Sequence, residues 1–202
     1  WAESWKAHFH PVRVTERIVV KPTWRDYQAE PGDIVIELDP GMAFGTGTHP
    51  TTALCIGLVE KYAQQRMRVL DIGTGSGILL ITAAKLGAGH LTGIDCDPVA
   101  VDVAGQNLDL NRVSADCRTL ITGDLAEGAS PPYDLVTANI LTETIVSLVP
   151  AIPPLLAPDG MFITSGIIFE KKEEVSKALA ASHFTILEIA EKEGWIAIAA
   201  KQ

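Results

Sequence analysis

The run Val69-Leu70-Asp71-Ile72-Gly73-Thr74-Gly75-Ser76-Gly77 constrains this chain more than any other feature. An apolar, strand-like stretch ends in three glycines at i, i+2 and i+4, and a helical pattern follows over residues 77–86. Glycine permits positive φ and carries no side chain, so such a turn lets a ligand approach the backbone closely. In open α/β sheets, ligands bind beyond the carboxyl ends of strands. The spacing is GxGxG, not the GxGxxG of dinucleotide sites. Asp71 also stands two residues before the first glycine. A carboxylate there repels a pyrophosphate and suits a cofactor that carries a sulfonium and an amino group. The plain alternative is a tight turn with a helix cap.

From residue 68 onward, short β-rich runs alternate with helical ones. Strands are expected at 68–72, 90–94, 119–122, 135–138 and 161–165, with helices at 77–86, 99–110, 142–156 and 171–181. Several strands are nearly all apolar, as they must be when helices cover both sheet faces. A repeated β-α pattern of this kind implies a mostly parallel sheet. The end departs from it. Runs at 184–190 and 195–200 are joined by a turn at 191–194, too short for a parallel crossover, so they form an antiparallel hairpin.

Residues 1–40 read differently: Trp1, Trp5, Phe9 and Trp24 punctuate a polar stretch with Pro11, Pro22 and Pro31. A short helix over 2–8 and two small strands at 15–21 and 33–38 are expected, forming a linker and arm packed on a catalytic core at 41–202. Residues 39–50 hold three glycines and two prolines, which forbid a regular element. A helix follows over 51–64, and Pro50 suits its start because its missing N–H costs nothing there.

The net charge of −9, from 25 acids against 16 bases, argues against nucleic acid as a partner. No apolar stretch reaches the roughly 18 residues of a membrane span, and the opening residues carry no hydrophobic tract of signal type. A cytoplasmic monomer is the expectation. Cys55, Cys96 and Cys117 form no CxxC pair and read as reduced thiols in or near the core. The five histidines are not grouped for a metal, and no metal is expected.

Two further acids sharpen the glycine turn. Asp95 ends the second strand, where an acid accepts hydrogen bonds from ribose hydroxyls. Asp97 competes locally, but it precedes Pro98 and is placed to cap the next helix. Asp124 follows the third strand and suits an adenine amino group, or else is a solvated loop acid.

Together these residues resemble the class I S-adenosylmethionine-dependent methyltransferases, over residues 50–202. That resemblance implies a Rossmann-like α/β fold with a seven-stranded sheet, its last strand antiparallel. A longer signature, Pro40-Gly41-Met42-Ala43-Phe44-Gly45-Thr46-Gly47-Thr48-His49-Pro50-Thr51-Thr52 with Asn139-Ile140-Leu141, is similar to the PrmA family, the bacterial methyltransferases of the large-subunit ribosomal protein eleven. Trp1, Trp5, Trp24 and Ser165-Gly166-Ile167 are similar as well. The resemblance implies contacts from Thr52, Asp71, Gly73, Gly75, Asp95, Asp124 and Asn139 to S-adenosylmethionine. It also implies a loop at 44–48 that closes over the cofactor, and amino groups of a large-subunit ribosomal protein as substrates. The family's small N-terminal substrate-recognition domain is expected to lie outside this chain.

The chemistry is consistent with that resemblance. A methyl sulfonium is already an activated electrophile, so catalysis is mainly positioning. A lysine amine, with a reference pKa of about 10.4, must be neutral to attack. Asn139 offers both an acceptor and a donor, either to orient an attacking N–H or to hold the cofactor's methionine part. Phe44 and Thr46 are the other candidate catalytic residues, Phe44 as a cover for the cofactor or an aromatic contact for a cationic amine. His49 reads either as a general base or as a cap for the following helix. The run Asn-Ile-Leu-Thr lacks an aromatic to stack on a planar amide or base. A small-molecule amine or nucleic acid on the same fold is the alternative substrate class.

Overall fold

The computed structural model describes residues 9–39 and 45–202. The helix expected over 2–8 and the candidate Phe44 lie outside the described residues.

Three short strands come first: β1 (Val12–Arg13), β2 (Ile18–Pro22) and β3 (Ile34–Leu38). β1 pairs antiparallel with β2, and β2 runs parallel to β3 with Ile18 opposite Ile34 and Val20 opposite Ile36. The main unit follows as α1 (Pro50–Tyr62), β4 (Arg68–Ile72), α2 (Ile78–Lys85), β5 (His90–Asp95), α3 (Pro98–Leu110), β6 (Arg118–Thr122), β7 (Tyr133–Asn139), α4 (Thr142–Leu148), β8 (Leu156–Ile168), α5 (Lys172–Ala181), β9 (Thr185–Lys192) and β10 (Trp195–Lys201). The seven strands lie in the order β6-β5-β4-β7-β8-β10-β9. The pairs from β6 to β8 are parallel, and β10 runs antiparallel to both of its neighbours. This is the seven-stranded α/β sheet of the class I methyltransferase fold.

Side-chain alternation along the strands builds two cores. Val69, Leu91, Leu135 and Ile163 face one side, against Ile56 and Val59 of α1 and Leu80 and Ile81 of α2. Leu70, Ile94, Val136 and Phe162 face the other, against Ile145 and Leu148 of α4 and Val175 and Leu179 of α5. Ile18, Val20, Ile36 and Leu38 of the small sheet are buried in the first of these cores and share it with α1 and α2. Polar clamps reinforce that docking. Asn111, the C-cap of α3, accepts the Glu37 N–H at 3.0 Å and donates to the Glu37 carbonyl at 2.6 Å, and Asn107 of α3 accepts the Asp39 N–H at 2.9 Å.

The structure corrects two expected elements. The helix expected over 142–156 ends at Leu148 and breaks into 3-10 turns at Val149–Ala151 and Pro153–Leu155. Pro150, Pro153 and Pro154 supply no N–H to continue an α ladder. The strand expected over 161–165 extends to thirteen residues, because Leu156 pairs with Tyr133 of β7 at its start and β10 pairs with it as far as Ile168. Among the described residues no helix is long and apolar enough to cross a membrane. Of the cysteines, only Cys55 is buried; Cys96 and Cys117 are exposed, which corrects their expected place in or near the core.

Candidate active site

Three contiguous cavities run along the carboxyl ends of β5, β4, β7 and β8. The first, about 400 Å³, is lined by Ile94, Asp95, Cys96, Gly123, Asp124 and Leu125 together with Gly73 and Leu141. The second, about 250 Å³, holds Gly45, Thr52, Asp71, Gly73, Thr74, Gly75, Asp95 and Asn139. The third, about 350 Å³, lies between His49, Thr51, Asn139, Leu141, Gly166 and Trp195. Ile140 lines all three, and Asn139 stands where the second meets the third.

The glycine turn is held from the neighbouring strand. Asp95 ends β5 one residue past the Ile94–Ile72 pair with β4, and its Oδ2 accepts the Gly75 N–H at 2.9 Å while Oδ1 accepts the Asp97 N–H at 3.0 Å. Asp97 caps α3 by accepting the Val99 N–H at 2.9 Å, so the two nearby acids have separate tasks. Gly73 takes φ +72°, and a Cβ there would lie 2.6 Å from Ile140 Cγ2, so glycine lets the turn close against the residue that follows β7. Ser76 donates to the Gly45 carbonyl at 2.5 Å, and its own carbonyl accepts Asn107 Nδ2 at 2.9 Å. The Asp39 and Gly45 ends of the preceding connection are therefore tied to the same turn and helix.

Asp71 is 1% exposed. It sits opposite Thr137 of β7 in the parallel register, and Thr137 Oγ1 lies 2.6 Å from Asp71 Oδ1. Burial pushes its carboxyl up to about 7. The Thr137 hydroxyl opposes that shift, as does the nearby Thr74 hydroxyl more weakly, and the Asp95 charge adds to it. Thr74 Oγ1 is buried with no hydrogen-bond partner among the described residues. Burial also raises the thiol of Cys55 on α1.

Asn139 Nδ2 donates to Thr52 Oγ1 at 3.3 Å, joining the end of β7 to the first turn of α1. His49 is the N-cap of that helix: its Nδ1 accepts the Thr51 N–H at 3.3 Å, and its ring meets Trp195 edge-on at 5.1 Å. The geometry thus places His49 as the cap, with the aromatic contact as its second role. Gly166, at φ +92°, lies under the Asn139-Ile140-Leu141 turn; a Cβ there would fall 1.9 Å from the Ile140 carbonyl oxygen.

The structure brings Thr52, Asp71, Gly73, Gly75, Asp95, Asp124 and Asn139 to the first two cavities. It does not bring Thr46 there. Its hydroxyl pairs with Thr48 at 2.8 Å, and the residue faces the small sheet beside Phe9, Val20 and Leu38. Sequence reasoning passed over Thr137 and Trp195, and named Ile140 only as part of a signature, with no role in the site. Thr137 is visible only through the β4–β7 register, and Trp195 only through the placement of β10.

The cavities suit an S-adenosyl cofactor. Their lining holds three carboxylates, Asp71, Asp95 and Asp124, and among the described residues no Lys or Arg. A pyrophosphate needs the opposite lining, whereas ribose hydroxyls, an amino group and a sulfonium find acceptors here. The unpartnered Thr74 hydroxyl adds a polar group at the floor.

Comparison with known proteins agrees with this geometry. The family model described as ribosomal protein L11 methyltransferase (PrmA) matches residues 1–202. The chain is 48% identical over 201 residues to the ribosomal protein L11 methyltransferase of Desulforapulum autotrophicum, and 50% identical over 202 residues to that of Exiguobacterium sibiricum. Both alignments cover 100% of this chain, which spans 66% and 64% of the length of those relatives. The crystal structure of the ribosomal protein L11 methylase of Lactobacillus delbrueckii subsp. bulgaricus superposes with a TM-score of 0.89 at 34% identity, covering 95% of this chain and 98% of that one. With the fold, the glycine turn and the matched length in agreement, the chain belongs to the ribosomal protein L11 methyltransferase (PrmA) family.

Proposed function

We propose that this chain binds S-adenosylmethionine and transfers its methyl group to amino groups of ribosomal protein L11, in the cytoplasm. The observation that carries the cofactor reading is the lining of the first two cavities, acidic and, among the described residues, without Lys or Arg. Membership of the family carries the substrate.

When bound, the cofactor supplies a methyl group already activated by its sulfonium. The chain's own residues do the rest. Asp95, with two of about four lone-pair positions used by backbone N–H groups, keeps capacity for ribose hydroxyls. Asp124 and Gly123 border the end of the cavity suited to adenine. Asp71 and Thr52 border the methionine end, near Asn139. With its Nδ2 turned to Thr52, Asn139 presents its carbonyl oxygen to an incoming N–H, at the junction with the third cavity. That cavity is walled by Trp195, Leu141 and Ile140 and, among the described residues, by no carboxylate, so it favours the neutral amine with its apolar stem over a charged one. Alignment of the nitrogen with the sulfur–methyl bond is then the main catalytic contribution.

Calorimetry with S-adenosylmethionine and with NAD tests the cofactor, and mass spectrometry of L11 after incubation with the chain and cofactor tests the substrate. Binding of S-adenosylmethionine alone, with methyl groups added to L11 amines, is the expected outcome. NAD binding without S-adenosylmethionine binding would overturn the reading. Methylation of a small amine or of RNA but not of L11 would move it to another substrate class.

A further inference from the structure

Asp71 is a buried acid with no Lys or Arg among the described residues that line its site. Its surroundings come from four elements. Thr137 approaches from β7 at 2.6 Å, and Thr74 lies on the turn after β4. Asp95 brings a second negative charge from the end of β5, and α1 brings the Cys55 thiol. No Lys or Arg lines the cavity among the described residues. Burying a carboxylate without a cationic partner costs several kcal/mol, and keeping the proton avoids that cost.

The cofactor proposed above changes this balance, because it brings a sulfonium and an ammonium into the same cavity. We infer that Asp71 holds a proton in the ligand-free protein and releases it to solvent when S-adenosylmethionine binds, with Thr74 as the positioning residue whose hydroxyl turns to donate to the new carboxylate. One O–H bond of the carboxyl breaks, its electron pair stays on Asp71, and the proton passes to buffer. The inference rests on the cofactor reading. The buried Thr74 hydroxyl, which has no partner at full hydrogen-bond geometry among the described residues, is the group free to turn and strengthen its contact with the carboxylate, a stronger acceptor than the protonated acid. Upward displacement of the Asp71 carboxyl to about 7 agrees with it.

Affinity then depends on pH. Below neutrality the dissociation constant rises as pH falls, approaching about tenfold per unit where the ligand-free acid is fully protonated. At pH 6.5 the cofactor's own α-amine, with a reference value of about 7.7–8.0, is already charged. A proton that appears there comes from the protein.

The test is calorimetric titration with S-adenosylmethionine at pH 6.5 in phosphate and in imidazole, buffers with small and large heats of ionisation. The expected result is a difference in heat equal to most of one proton released per site. Asp71→Asn should abolish that difference and flatten the pH dependence of binding. Thr74→Val should raise the dissociation constant several-fold and reduce the proton release. It should also leave the melting temperature of the ligand-free protein unchanged or higher, since it removes an unsatisfied hydroxyl. Thr74→Ser should restore binding. A merely structural Thr74 would instead lower the melting temperature and leave the proton release unchanged. Equal heats in both buffers with normal binding would overturn the inference and leave the cofactor reading standing, as would release that persists in Asp71→Asn. No binding heat in either buffer would overturn both.

Discussion

The Asp95 carboxylate accepts the Gly75 N–H at 2.9 Å, so the acid that ends β5 holds the glycine turn that follows β4. One side chain thereby shapes the cavity floor and supplies the acceptor at its ribose end. Its second oxygen also holds the Asp97 N–H at the start of α3.

Asp95→Ala removes both functions. Hydrogen bonds to charged groups are worth about 1.5–3 kcal/mol, so the dissociation constant for S-adenosylmethionine should rise roughly 10- to 100-fold. Asp95→Asn, which keeps an acceptor, should lose less. Calorimetry on both variants checks the order.

Gly166→Ala places a Cβ on the Ile140 carbonyl, which is backbone and has no rotamer to escape into. Destabilisation of about 3 kcal/mol or more is expected, given the strain of a positive φ added to the clash. Gly57→Ala is the contrast. Gly57 lies within α1 with nothing within 4 Å of the added methyl, and should gain about 0.5–1 kcal/mol. Urea unfolding of the two variants measures both.

Asn107→Ala leaves the Asp39 N–H and the Ser76 carbonyl without their partner. The buried Ser76 carbonyl costs about 1–3 kcal/mol when orphaned, whereas the Asp39 N–H belongs to an exposed residue that water can reach, so a loss of about 1–3 kcal/mol is expected. Hydrogen exchange should show the Asp39 amide losing protection before the strands of the main sheet do.

The raised Asp71 carboxyl gives the ligand-free protein a pH signature. Its folded value, about 7, lies above its unfolded value of about 3.9. Between these values the folded state holds the extra proton, so this group lowers stability as pH rises from about 4 to about 7. In Asp71→Asn that decline should vanish. Melting temperatures of the two proteins across this range should therefore diverge with rising pH, the variant becoming the more stable.

Trp195→Ala removes the aromatic wall of the third cavity. The substrate's apolar stem loses a packing surface worth about 0.8 kcal/mol for each methylene it covers, so with one or two methylenes exposed KM for the amine substrate should rise roughly 4- to 15-fold, with Trp195→Phe between. Cofactor affinity should not change, since Trp195 does not line the first two cavities. Steady-state kinetics beside calorimetry separates these effects.

Much of the architecture was legible along the chain because it is local. The turn from Ile72 to Gly77, the cap at Asp97 and the start of α1 at Pro50 depend on residues within a few positions of one another. The alternating apolar runs of β4, β5 and β7 carry their two-faced burial in their own side-chain period. Prolines 150, 153 and 154 were equally visible, yet the run around them keeps a helix-like apolar spacing, and that spacing hid the break after Leu148.

What the sequence by itself determined is the cofactor half of the site: three glycines, with Asp71 and Asp95 at strand ends. Strand-end placement follows from chain order in a β-α-β unit. Only the tertiary structure decided how those groups behave. The β4–β7 register sets Thr137 against Asp71 and encloses that carboxyl, which raises it to about 7. The slotting of β10 between β8 and β9 carries Trp195 to His49 and completes the third cavity. The docking of the small sheet on α3 turns Thr46 away from the cavities. Each depends on contacts between residues far apart in the chain, whose pairing is chosen by burial and hydrogen bonding in the folded whole and leaves no periodic trace in the sequence.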